Sequence, residues 1–400
     1  MQVLIKKFDD FGQGIAFVDD VITFVPNTIP GDIVDINIVK KKKKYNVGKV
    51  INYIKLSDDR VEVKCPYFYK CGGCVLQSIS YEESINFKLN KVVNLFDKYN
   101  LHINPGIIKN NNDYNYRNKI KLMVVDGKIG YYESNSHILV EINECIIASK
   151  AINKVILLLK NINIINGSII IRCNQLDEIL IVIESNDNLN IDITKIKENI
   201  KLIGIIINNK IFYGNDYLIE CINDLYYKIS YDSFFQINPY VASKLFNIVR
   251  ENIDETDTVL DLYCGVGTLS LNASLKAKEV IGVEIVENAV LNAIYNAKIN
   301  KCNNVKFILN DVQNAVNKIN KKFDKIIIDP PRSGLTKKTI DTILDISPKK
   351  IIYVSCDPNT LVRDILLLKD KYSIEKSFIL DMFSYSYHVE SIIVLNIIDE

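Results

Sequence analysis

Residues 258–271, TVLDLYCGVGTLSL, read as an apolar strand that runs into a glycine-rich loop and opens a helix. Gly265 and Gly267 let the backbone turn tightly and approach a ligand closely. Such a loop serves nucleotides of many kinds, so the charges around it carry more weight. Asp261 lies at the end of the strand, where it would repel the pyrophosphate of a dinucleotide but not a sulfonium compound with a free amino group. Glu284 ends the next strand, about 20 residues beyond the loop, where a carboxylate can accept from ribose hydroxyls. Asp311 follows the third strand and is placed to face an adenine amino group. Singly, each reads as a loop-capping acid; the three together suit S-adenosylmethionine better than a dinucleotide.

Outward from this loop, apolar strands recur: EVIGVEI (279–285), VKFILND (305–311), KIIIDPP (325–331), KIIYVSCD (350–357), SFILDMF (377–383) and SIIVLNII (391–398). Helical runs such as NAVLNAIYNAKIN (288–300) lie between them. The alternation predicts an α/β domain over 233–400, a doubly wound Rossmann-like sheet with its ligands at the carboxyl ends of the strands. Residues 59–232 read as a mixed α+β domain, with a helix in SYEESINFKLNKVVNLFDKY (80–99) and strands in KIKLMVVDG, KIGYYES, SIIIRC and EILIVIES. Residues 1–58 hold short strands broken by turns, IAFVDD, VITFVP, DIVDINIV and VGKVINYI among them, and predict a small OB-like β-barrel.

The formal net charge is only +1, so composition does not announce a nucleic-acid binder and phosphate contacts must come from local patches. The run Lys40, Lys41, Lys42, Lys43, Lys44 is one such patch, expected at a strand end or hairpin; a solvated charged face is the plainer reading. No apolar run approaches the roughly 20 residues that span a bilayer, and the amino terminus lacks the pattern of a secretory signal. A cytoplasmic protein follows as the expectation, with no membrane contact and no obligate protein partner, so a monomer. In a reducing compartment nine cysteines do not form a disulfide framework, and their spacing reads for metal or catalysis.

The fourth strand of the α/β region ends in DPPRSGL (329–335), whose prolines fix a rigid turn and hold Asp329 at the strand tip. Methyltransferases directed at exocyclic amines place an aromatic after Asp-Pro-Pro to stack the base. Arg332 stands there instead. The fifth strand ends in SCDPNTLVRD (355–364) and presents Cys356 at the carboxyl edge. A buried free cysteine is usually a small core hydrophobe. At the functional edge of the sheet, however, it reads as a nucleophile. Carbon-5 of uracil is too weak a nucleophile to take a methyl group unaided, and thiolate addition at carbon-6 makes it reactive. The proton on carbon-5 must then leave, and SYHVES (386–391) supplies His388 and Glu390 as bases.

With DLYCGVGTLSL, DPPRSGL, SCDPNTLVRD and HVES in this order, the chain closely resembles the RNA uracil-5-methyltransferase family. FFQIN (234–238) resembles the family's link into its catalytic domain, and DFGQGIAFVDDVITFVPNTIPGDIV (10–34) its N-terminal RNA-binding TRAM domain. The resemblance implies a class I methyltransferase domain with Cys356 as nucleophile and Glu390 as base. It further implies that Gln236, Tyr263, Glu284 and Asp329, with Asp311 in addition, line the site of S-adenosylmethionine. Asp357 departs from the asparagine expected after the cysteine.

Cys65, Cys71 and Cys74 form C-x5-C-x2-C, with Gly72-Gly73 letting the chain fold round a metal centre. Four thiolates suit zinc or an iron–sulfur cluster equally on ligand chemistry. The resemblance implies Cys145 as fourth ligand, over Cys173 and Cys221, and its ribosomal branch implies a 4Fe–4S cluster. The same branch implies 23S ribosomal RNA as substrate and partner. Transfer RNA, or an RNA-binding iron–sulfur protein with a vestigial fold, are the alternatives. A cytosine-5 methyltransferase fits less well, because its cysteine follows the fourth strand rather than the fifth.

Overall fold

The computed structural model describes residues 1–134, 136–160, 162–319 and 321–398. The chain begins with six strands: β1 (Gln2–Leu4), β2 (Lys7–Phe8), β3 (Gly14–Val18), β4 (Val21–Val25), β5 (Ile33–Lys41) and β6 (Asn46–Lys55). They form one sheet in the order β1-β5-β6-β4-β3-β2 around a small core of Val3, Ile5, Ala16, Val25, Val34 and Ile36. The expected barrel is corrected in one respect. No ladder pairs β1 with β2 among the described residues; instead the two edges are consecutive pieces of one segment. Its first half pairs with β5 and its second with β3, and the Lys6 amide between them donates to Ile15 at 2.8 Å. The sheet therefore curls round on itself without a single closing ladder. Lys40 to Lys44 are exposed in the hairpin between β5 and β6.

Helix α1 (Tyr81–Asp97) starts at Ser80, whose side chain accepts from the Glu83 amide. Its buried face includes Val92 and Phe96, which pack into the core of the C-terminal sheet rather than the central one. The short β7 (Gly106–Ile108) also joins the C-terminal sheet, as its edge strand. Between 119 and 214 lies a separate seven-stranded sheet. Its elements are β8 (Lys119–Val125), β9 (Lys128–Tyr132), β10 (Leu139–Glu141), α2 (Lys150–Leu159), β11 (Gly167–Cys173), β12 (Glu178–Glu184), α3 (Ile193–Lys197), β13 (Lys201–Ile207) and β14 (Lys210–Gly214). Its order is β10-β9-β8-β11-β12-β13-β14, and an isoleucine-rich core joins it to α2. A hairpin, β15 (Tyr217–Ile222) and β16 (Leu225–Ser230), follows and packs Tyr227 and Ile229 into the C-terminal core.

The C-terminal region contains α4 (Pro239–Glu251), β17 (Thr258–Leu262), α5 (Thr268–Ser274), β18 (Glu279–Glu284), α6 (Glu287–Ile299), β19 (Val305–Leu309), α7 (Val312–Lys318) and β20 (Lys325–Ile328). It ends with α8 (Lys337–Ile346), β21 (Lys350–Ser355), α9 (Pro358–Leu368), β22 (Tyr372–Leu380) and β23 (Glu390–Ile397). The sheet runs β19-β18-β17-β20-β21-β23-β22-β7, parallel from β19 through β21, with β23 antiparallel between β21 and β22. β20, KIII, is buried at every position, as a strand covered on both faces must be. Strand order reverses between β17 and β20, which makes their carboxyl ends the switch point where open α/β sheets bind ligands.

Lys88 of α1 and Asp381, just after β22, form an ion pair of 2.5 Å, both side chains 1% exposed. Tyr81 and Ser384 also donate to Asp381, and Lys88 donates to the Phe383 carbonyl. This network fastens α1 to the loop that leads into β23. Among the described residues no helix is long and apolar enough to cross a membrane.

Candidate active site

Backbone register brings Cys356 and Glu390 together. β21 and β23 run antiparallel with Ser355 opposite Ser391, so Cys356 and Glu390 are the next residues outward on neighbouring strands. Asp357 follows the cysteine and caps α9, accepting from the Asn359 amide at 2.8 Å, while Pro358 takes the first helical position. Asparagine and aspartate cap helices equally well, which accounts for the departure at 357. Burial first, and then the charge of Glu390, pushes the Cys356 thiol up to about 11, while Arg332 pulls it the other way. Glu390 is 3% exposed. Burial, and after it the charge of Asp329, raises Glu390 well above the ordinary carboxylate range. Asp329 at the tip of β20 is itself raised to about 7 by burial. The Cys356 thiol, the two acids and Arg332 thus act on one another at the same edge of the sheet.

His388, the other base named by sequence, lies in a cationic setting. Burial, then the charges of Arg332, Lys91, Lys88 and Arg117, lower its imidazole to about 4. It is neutral at physiological pH and a weak base.

The glycine loop lies one strand away. Asp261 ends β17 fully buried; one oxygen accepts from Ser270 and the other, Oδ1, has no partner among the described residues. Burial lifts its carboxyl to about 7, with Asp329 and Glu284 adding to the effect. A buried carboxylate oxygen without a donor is costly, and a ligand's ammonium would satisfy it. Tyr263 takes a left-handed φ of 66°, and its hydroxyl lies 3.4 Å from that of Thr339. Gly265 also has positive φ, and a Cβ there would meet nothing within 4 Å, so the loop faces open space. At Gly267 a Cβ would come within 2.9 Å of the Phe307 ring, so that glycine serves packing. Glu284 receives the Gly265 amide at 3.0 Å and the amides of Ile285 and Val286, fixing the loop. Gln236 is buried just before α4. The Asp311 carboxylate receives the amide and side chain of Asn314, which lowers its pKa. It caps the start of α7, the plainer of the two roles considered for it.

Cys65, Cys71, Cys74 and Cys145 line one cavity of about 220 Å³, with Gln77, Arg117 and Tyr131 on its wall. Burial, and then the neighbouring Cys145 thiol, push Cys74 up to about 12; burial also raises Cys71 to about 11 and Cys65 to a lesser degree. Both polar atoms of the Gln77 side chain are buried without a hydrogen-bond partner among the described residues. Cys173 packs instead against Ser149. Among the described residues no three His, Cys, Asp or Glu side chains close on a single point as a grip for one ion.

Two lysines of α1 reach this region without a sequence signal. Lys88 and Lys91 look like solvated helix lysines in the sequence, and only their tertiary partners Asp381 and Tyr387 distinguish them.

A parallel sheet with its switch point at a glycine loop, acids at successive strand ends and an antiparallel last strand inserted between β21 and β22 defines a class I methyltransferase-like enzyme. The profile of the tRNA (Uracil-5-)-methyltransferase family matches residues 80–398, and that of the TRAM domain residues 1–51. The chain belongs to this family of S-adenosylmethionine-dependent RNA uracil-5-methyltransferases and carries a TRAM domain at its amino end. An uncharacterised RNA methyltransferase of Clostridium tetani is 35% identical, covering 96% of this chain and 93% of its own. One from Clostridium acetobutylicum is 34% identical, covering 100% and 97%. The crystal structure of Pyrococcus abyssi tRNA (uracil-54, C5)-methyltransferase with S-adenosyl-L-homocysteine matches at a TM-score of 0.82 and 26% identity, over 99% of this chain and 100% of that one.

Proposed function

We propose that the enzyme methylates carbon-5 of a uridine in 23S ribosomal RNA through a covalent adduct on Cys356. The observation that carries the reading is the register that sets Cys356 beside Glu390 at the carboxyl edge, with Arg332 and Asp329 next to them. The Cys356 thiolate adds to carbon-6, and the electron pair of the 5,6 double bond moves into an enolate stabilised by the Arg332 cation. S-adenosylmethionine supplies the methyl group that carbon-5 takes up. Glu390, whose raised pKa makes its carboxylate a stronger base, then removes the proton from carbon-5. The electrons of that C–H bond re-form the double bond and expel the thiolate.

Asp261, Tyr263, Gly265, Glu284, Gln236 and Asp329 hold the methyl donor, the unpartnered Asp261 oxygen answering its ammonium. Asp311 sits at the rim, its carboxylate already engaged by Asn314. Cys65, Cys71, Cys74 and Cys145 would hold a 4Fe–4S cluster. Thiols spread over the wall of a cavity suit a polynuclear cluster better than one zinc, whose ligands crowd within ~2.3 Å of a single atom. The cluster would supply a cross-link between the segment around Cys71 and the central sheet at Cys145.

A second reading, transfer RNA as substrate, is favoured by the full-length likeness to the Pyrococcus abyssi enzyme. Mass mapping of 5-methyluridine in ribosomal and transfer RNA from cells with and without the gene decides between them. A 23S site that loses its methyl group supports the ribosomal reading. Loss confined to transfer RNA overturns it, and no loss in either overturns both.

A further inference from the structure

The turn Asp9–Gln13 of the N-terminal sheet reaches the catalytic loop. Asp9 accepts from the Phe11 and Gln13 amides, and Gly12, at φ 76°, packs against Val75 and Leu76. The amides of those two residues both donate to the carbonyl of Tyr385 at 3.0 Å, so the turn packs on the cysteine segment, which is hydrogen-bonded to the loop before β23. At its tip Phe11 is 54% exposed yet held edge-on to Tyr387, with ring centres 5.3 Å apart. Tyr387 lies over His388 at 4.1 Å, and Lys91 sits above the Tyr387 ring at 5.2 Å. Two residues further along the chain is Glu390.

We propose that Phe11 and Tyr387 form a stacking seat for the base of a nucleotide adjacent to the target uridine, with Lys91 and Arg332 facing its phosphate. It rests on the reading of the chain as an RNA uracil methyltransferase, and deepens it by naming where the flanking RNA is held. An aromatic kept in solvent at a rigid turn has little packing role, and every base offers a π-face to it. The cations are on the side the seat requires. Lys91 is half-buried and donates to the carbonyls of Asp10 and Tyr387, with the carboxylates of Asp10, Asp357 and Asp9 nearby, while Arg332 is exposed at the same edge.

The probe is a short single-stranded RNA with one uridine and 2-aminopurine placed before it or after it. Stacking on the seat quenches one of the two labels on binding wild-type protein. Phe11→Ala, an exposed position that leaves the fold intact, abolishes that quenching and weakens binding about 5- to 100-fold, while Phe11→Tyr restores both. Quenching of neither label by the wild type, quenching that survives in Phe11→Ala, or loss that Phe11→Tyr does not repair each overturns the proposal. Methyl transfer by the wild type is followed separately. Its absence from every RNA tested would sink the reaction assigned above without touching the fluorescence result.

Discussion

Cys356 is a poor nucleophile in the resting enzyme, and the reason is local. Burial and the neighbouring acid hold its thiol at about 11, so at pH 8 roughly one in a thousand is ionised. Arg332 works against both effects, as our proposal that Cys356 acts as a thiolate requires. Alkylation of the Cys356 peptide by iodoacetamide, followed by mass spectrometry, is therefore predicted to quicken about ten-fold per pH unit between 7 and 10. Arg332→Gln removes a cation that lowers the pKa, so the same curve moves to higher pH and the rate falls at every pH in that range. A rate already flat above pH 7, or one that Arg332→Gln leaves unchanged, would show that the thiol is activated by something else. The pairing of residue types was legible in the sequence, because Cys356 and Glu390 both fall at strand ends. The electrostatics were not. By residue type alone His388 and Glu390 look equally suited as bases two residues apart, and burial together with surrounding cations drawn from three separate segments sets them apart.

At the scale of elements, a doubly wound, mainly parallel sheet followed from alternation of apolar runs with helices, a pattern that needs no tertiary information. What pattern could not reveal was where α1 and β7 pack. Both lie in the stretch read as a central domain, yet their apolar residues complete the C-terminal sheet. An amphipathic helix shows that it has a partner, not which one. The curled N-terminal sheet raises the same difficulty, because residues 2–8 pair on both sides of a single bend. The cysteine segment is the element with the sharpest chemical expectation. Its thiols are protonated at neutral pH without a bound centre, Cys74 most of all at about 12, and a metal must displace those protons. Protein purified without air is predicted to be brown and to contain iron with acid-labile sulfide. Cys74→Ser should lose most of both. Stoichiometric zinc without sulfide would overturn the cluster.

At the scale of the whole molecule, three chain regions meet near the sheet edge that holds Cys356 and Glu390. The C-terminal sheet supplies Cys356, Glu390 and the glycine loop. The central region brings its thiol-lined cavity to the back of the catalytic loop through Val75 and Leu76, and the N-terminal sheet adds the turn at Phe11. Its exposed lysine hairpin lies at the far end of the same small sheet, where it can meet RNA backbone beyond the target. None of this convergence is visible in composition, since a net charge of +1 averages over a chain with local cationic patches.

The account stands on the division of labour between Cys356 and Glu390, and trapping the adduct tests it most directly. Protein is incubated with substrate RNA, with and without S-adenosylmethionine, and run on a denaturing gel. Glu390→Gln leaves addition and methyl transfer possible but removes the base, a loss worth about 100- to 10,000-fold in rate. It should accumulate a slowly migrating protein–RNA band that depends on S-adenosylmethionine, and Cys356→Ala should form none. A Glu390→Gln enzyme that turns over normally, or a band that persists in Cys356→Ala, would contradict the account.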